Sequence, residues 1–182
     1  MKIRILRTAI IASLSLQSIP LFSQTLCWGP QLGISRAGEA DRSSYYLGGV
    51  MRLQPLEQIG FEVGLNYHRE EYFNDQLTVK SWPIQLSGLL FLTSSFYGTA
   101  GAGWYNMTVD FKSDEIVDQT DMKTKWHAGV GMNIPLEYST TIVCDIRYVF
   151  QDYQFGSGLP GIKDIRSDLL ILSLSILFGL QD

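Results

Sequence analysis

Residues 123–150 read KTKWHAGVGMNIPLEYSTTIVCDIRYVF. In the first half, Thr124, Trp126, Ala128, Val130, Met132 and Ile134 alternate with Lys123, Lys125, His127, Gly129, Gly131 and Asn133. In the second half, Ile142, Cys144, Ile146, Tyr148 and Phe150 alternate with Thr141, Val143, Asp145, Arg147 and Val149. A period of two puts one set on each face of a strand, so each half is a strand with one apolar face. The link from Pro135 to Ser139 is too short for a crossover, which leaves an antiparallel hairpin.

The pattern recurs along the chain. Leu26, Trp28, Leu32 and Ile34 oppose Gly29, Gln31, Gly33 and Ser35. Tyr45, Leu47, Gly49, Met51 and Leu53 oppose Tyr46, Gly48, Val50, Arg52 and Gln54. Ile59, Phe61, Val63, Leu65 and Tyr67 oppose Gly60, Glu62, Gly64, Asn66 and His68. A fourth strand over about Thr78–Leu92 carries Pro83, expected near a strand end or bulge because it lacks a ladder donor. A fifth over Phe96–Phe111 turns Phe96 and Trp104 outward, and the eighth runs from about Ser167 to Leu180. The turns after strands two, four and six are short, and the other links are longer. Eight strands with that rhythm predict an all-β fold: a closed, antiparallel, up-and-down transmembrane barrel. Its short turns face the periplasm.

Which face looks inward follows from composition. The apolar set carries no charge, and its aromatics gather at the strand ends. Trp28, Phe61, Phe96 and Phe178 make one girdle; Tyr45, Tyr67, Trp82, Trp104, Trp126, Tyr148 and Phe150 make the other. The alternate set is rich in Gly, Ser and Asn, as a narrow lumen requires. Arg52, Glu62, His127, Asp145 and Arg147 are its charged or titratable members. Buried charges need partners, so these five are expected to form a polar network that plugs the lumen, with Arg52–Glu62 and Asp145–Arg147 as its pairs.

Residues 1–23 read as a secretory signal peptide: Lys2, Arg4 and Arg7 precede a short apolar run. Residues 24–182 are then the barrel domain, and export points to the outer membrane of a Gram-negative bacterium. Without the three basic residues, 11 Lys plus Arg face 18 Asp plus Glu, a formal charge of −7 that argues against nucleic acid. Cys27 and Cys144 fall on strands that are not neighbours in a closed barrel, so no disulfide is expected, and no lipid is expected on Cys27. No motif suggests a metal or another cofactor.

At these residues a resemblance enters. Tyr97-Gly98-Thr99-Ala100-Gly101-Ala102-Gly103-Trp104-Tyr105 resembles the aromatic, glycine-rich strand of small outer-membrane β-barrels. Trp126-His127-Ala128-Gly129-Val130-Gly131, Pro135-Leu136 and Asp145-Ile146-Arg147-Tyr148 look like their sixth and seventh strands, and Trp82-Pro83-Ile84 is similar to another. The group includes OmpA-like and OmpX-like barrels, which imply anchoring, adhesion or surface roles, and OmpW-like barrels, which imply passage of small apolar solutes. Two departures stand out. Phe178 is followed by Gly179-Leu180-Gln181-Asp182, which displaces a terminal aromatic assembly signal, and no periplasmic peptidoglycan-binding domain is expected.

The expected role is therefore structural or surface-interacting, in a monomer that meets outer-membrane lipid or lipopolysaccharide and a surface partner through its outer loops. The alternatives are narrow, porin-like passage of small solutes and a secreted, soluble, lipocalin-type binder. No enzyme is expected: a small-barrel lipid A deacylase needs a nucleophilic Ser two residues after its His, and that position is Gly129. The interior partner expected for His127 is Glu62 or Asp145, and His68 is expected at the rim. The acidic run Asp114-Glu115, Asp118 and Asp121 reads as a solvated loop, with a divalent cation bridging lipopolysaccharide as the sharper alternative. Tyr153–Ile165 is a long loop with a protein-contact alternative.

Overall fold

The structure is a computed structural model, and it describes residues 25–38, 40–72, 77–111, 119–136, 139–150, 152–153, 165–166 and 168–179. The signal peptide expected over 1–23 lies outside these residues, as do Asp114, Glu115 and Asp118 and most of the loop from Tyr153 to Ile165.

Among the described residues ten strands follow one another: β1 Thr25–Ala37, β2 Ser44–Leu56, β3 Ile59–Tyr72, β4 Leu77–Phe91, β5 Phe96–Phe111, β6 Gln119–Pro135, β7 Thr140–Phe150, β8 Asp152–Tyr153, β9 Ile165–Arg166 and β10 Leu169–Gly179. Eight close into an antiparallel barrel in the order β1-β10-β7-β6-β5-β4-β3-β2, while β8 and β9 pair with each other within the last long connection. Closure comes from β1 pairing with β10, Trp28 opposite Phe178 and Ala37 opposite Leu169. Every barrel strand then has two partners and no open edge remains, the condition for a sheet in a bilayer.

The alternate sets segregate as their polarity demands in lipid. Trp28, Leu32, Leu47, Leu65, Trp82, Ile84, Trp104, Trp126, Ile146 and Leu172 are exposed on the outer wall. Gln31, Arg52, Glu62, Gln85, His127, Asp145 and Arg147 are buried inside. A lipocalin-type binder needs the reverse orientation. Strand five has its expected phase: Phe96 and Trp104 face out, Tyr97 and Tyr105 face in. Outer-wall aromatics pair at both ends, with ring centroids 6.4 Å apart for Trp28 and Phe178 and 4.6 Å apart for Tyr67 and Trp82.

Three local expectations change. The hairpins β3–β4 and β5–β6 run further toward the outer end than the sequence pattern suggested, with Tyr72 opposite Leu77 and Val109 opposite Gln119. Beyond the aromatic girdle the wall meets water, so an outward position of β3 turns charged (Arg69), while the inward side holds both apolar residues (Val79, Met107) and charged ones (Glu70, Lys125). The in-and-out alternation continues, but polarity no longer marks the face. Pro83 sits inside β4, not at its end; the β3–β4 pairing passes from Leu65–Ile84 to His68–Ser81, skipping the positions beside it. His68 is not a rim residue but is fully buried. Cys27 and Cys144 are free thiols.

Candidate functional site: the barrel interior

The inward side chains form three zones. Nearest the short turns, Val50, Leu89, Phe91, Tyr97, Val143 and Leu177 pack together, with Cys27 against them. Toward the outer end, Ala37, Ala40, Tyr46, Val79, Tyr105, Met107, Val149, Leu169 and Ile171 form a second apolar cluster. Arg52, Glu62, Asp145 and Arg147 lie between the two.

Glu62 is the hub of this middle zone. Arg52 stands directly opposite it across the β2–β3 ladder and donates to Oε2 through Nη2 at 2.6 Å and Nε at 3.1 Å. Arg147 donates to the other carboxylate oxygen, Oε1, at 2.6 Å, and to Asp145 Oδ2 at 3.1 Å. In the ring β7 and β3 lie four strands apart in either direction, so Arg147 spans the lumen. Arg52 also donates to Asn133 Oδ1 at 3.0 Å, again across the barrel, and to Tyr97 Oη at 2.9 Å. The Tyr97 hydroxyl in turn donates to Asp145 Oδ1 at 2.6 Å. Two carboxylates thus meet two guanidiniums, and charge-assisted bonds offset their desolvation.

Small residues make the room. Asp145 stands opposite Gly131 and Arg147 opposite Gly129 on the β6–β7 ladder. A Cβ at Gly131 would overlap Tyr97 Oη, and one at Gly129 would overlap the Ile146 carbonyl. The glycines that make β6 look weak as a strand are what lets the large polar side chains sit in so narrow a lumen.

The structure brings Arg52, Glu62, Asp145 and Arg147 into one network. It does not bring His127 into hydrogen-bond contact with Glu62 or Asp145. Instead His127 Nε2 lies 2.8 Å from Ser87 Oγ, a residue of β4. Ser87 and Tyr97 were missed by sequence reasoning because their partners lie on other strands. Ser87 and His127 are both buried, and His127 Nδ1 has no hydrogen-bond partner. A catalytic pair would need a group orienting that nitrogen and an open approach to the Ser.

Nearer the outer end, His68 Nε2 is 3.3 Å from Glu70 Oε1. Lys125 Nζ lies 4.6 Å from the Tyr105 ring centroid and donates to Met107 Sδ at 3.2 Å. Gln85 accepts from Tyr46 at 2.9 Å and donates to Tyr105 at 2.7 Å. Lys125, Glu70 and His68 therefore join the interior charges. Lys125 is legible from its place two residues before His127; Glu70 is not, because it follows His68, the last residue of the third strand's apolar–polar alternation. Among the described residues no cluster of His, Cys, Asp or Glu has a metal-binding arrangement.

No protein-family model and no curated protein matches the chain. Solved structures do. Neisserial surface protein A matches with a TM-score of 0.64 at 12% identity, over 85% of this chain and 97% of that one. Outer membrane protein OprG of Pseudomonas aeruginosa matches with a TM-score of 0.66 at 11% identity, over 88% and 97%. The outer membrane protein AlkL, solved in lipid bilayers, matches with a TM-score of 0.58 at 15% identity, over 91% and 94%. At these identities the likeness is one of fold. Together with the apolar outer wall it defines the class: a small, eight-stranded transmembrane β-barrel of the bacterial outer-membrane type.

Proposed function

We propose that the chain is an integral outer-membrane protein of a Gram-negative bacterium, monomeric, with a plugged lumen and a structural or surface-interaction role. The carrying observation is the ionic network of Arg52, Glu62, Asp145, Arg147 and Tyr97, held between two apolar clusters. An eight-stranded lumen is about as wide as its own side chains, and here they cross it. Contact with partners then falls to the outer connections and the lipid-facing wall. Neisserial surface protein A, a surface protein by its name, shares the fold. Residues 1–23 serve in this reading as the export signal. The chain is taken as non-enzymatic, because the Ser87–His127 pair is enclosed and no hydrogen-bond partner holds His127 Nδ1.

Conductance of purified protein in planar bilayers tests the plug. The expected outcome is no discrete openings for wild type; steady solute-passing openings would overturn the reading. Narrow solute passage is the second reading, favoured by Asn66 and Ser81, whose buried polar side-chain atoms lack hydrogen-bond partners and would take water.

A further inference from the structure

The outer wall of β1, β2 and β3 carries a groove of about 690 Å³. Ile34, Tyr45 and Tyr67 line its lipid-facing part, and Arg42, Arg69 and Glu71 line its outer part. Tyr67 packs on Trp82, which sets this part of the groove in the outer aromatic girdle. Arg69 is two residues beyond Tyr67 on β3, about 7 Å further along the strand and so at headgroup depth.

Glu71 pairs with Arg42 and, at 2.7 Å, with Arg69. One carboxylate thereby holds two guanidiniums side by side, while their side chains stay 63% and 49% exposed. The lining has two cations and one anion; Asp41, next to Arg42, is not part of it. A guanidinium fork matches the oxygens of a phosphate monoester, and a pair already aligned loses less freedom on binding.

We propose that this groove seats an acylated lipid of the outer leaflet bearing an anionic phosphate monoester. The phosphate meets the exposed sides of the Arg42 and Arg69 guanidiniums, outside the Glu71 carboxylate that bridges them, and an acyl chain runs along Ile34 between Tyr45 and Tyr67. The proposal rests on the outer-membrane reading and is independent of whether the lumen is plugged.

Native mass spectrometry of detergent-solubilised protein tests it, with bisphosphorylated lipid A and phosphatidylethanolamine as probes. Wild type is expected to retain lipid A over phosphatidylethanolamine, and the double variant R42Q/R69Q to lose about tenfold in retention, the equivalent of two exposed charge-assisted contacts. Tyr45→Ala, at a fully lipid-facing position, is expected to lose several-fold and keeps the proposal testable where R42Q/R69Q does not fold. Unchanged retention in either folded variant overturns the site. Equal retention of phosphatidylethanolamine, or displacement of lipid A by inorganic phosphate alone, overturns it as a lipid site. Heat-modifiable migration of the same samples separates the two failures: a wild type without it sinks the outer-membrane reading itself.

Discussion

Glu62 joins the two arginines of the interior, because each of its oxygens accepts from a different one. Glu62→Ala would leave two guanidiniums buried with half their compensation gone. The expected loss is about 3–5 kcal/mol, the range for breaking a buried ion pair from one side. Tyr97→Phe removes one hydroxyl that links Arg52 to Asp145, and should cost about 1–3 kcal/mol. Urea-unfolding midpoints of protein refolded into lipid vesicles read both, and equal midpoints for Glu62→Ala and wild type would mean that the network contributes nothing. Of this network, the residue types and the Arg52–Glu62 and Asp145–Arg147 pairs were legible in the sequence, since each pair is local to one strand or one hairpin. The link from Arg147 to Glu62 was not, because it joins residues 85 apart across a closed ring.

At the scale of the strand, β3 shows how solvent sets the pattern. From Phe61 to Tyr67 its outward residues are apolar; from Arg69 onward they are charged. The backbone and its pairing do not change at that point, only the medium outside. Placing Arg at Leu65, between the two girdles, is expected to cost about 2–4 kcal/mol, as for a cation on a lipid-facing strand near the midplane. The same vesicle unfolding measurement reads it, and a neutral result would mean that this wall faces water. The change in polarity also explains why the alternating pattern of β3 stops at His68: past Tyr67 the outward Arg69 and the inward Glu70 are both charged, and no apolar set is left to follow.

The eight barrel strands form a closed hydrogen-bonded ring with an apolar exterior, so any resistance to detergent belongs to the ring as a unit. Unheated protein in a detergent gel is expected to migrate differently from boiled protein and to fractionate with the outer membrane. A soluble periplasmic product with no heat-modifiable form would overturn the outer-membrane assignment.

Periodicity, the clustering of aromatics at strand ends and the run of short and long connections determined the fold, because each is set by near neighbours along the chain and by the solvent they meet. The Ser87–His127 contact, the burial of His68 and the arginine that spans the lumen were decided only by tertiary structure. Closing eight strands into a ring sets distant residues face to face, and no local period records which of them will meet.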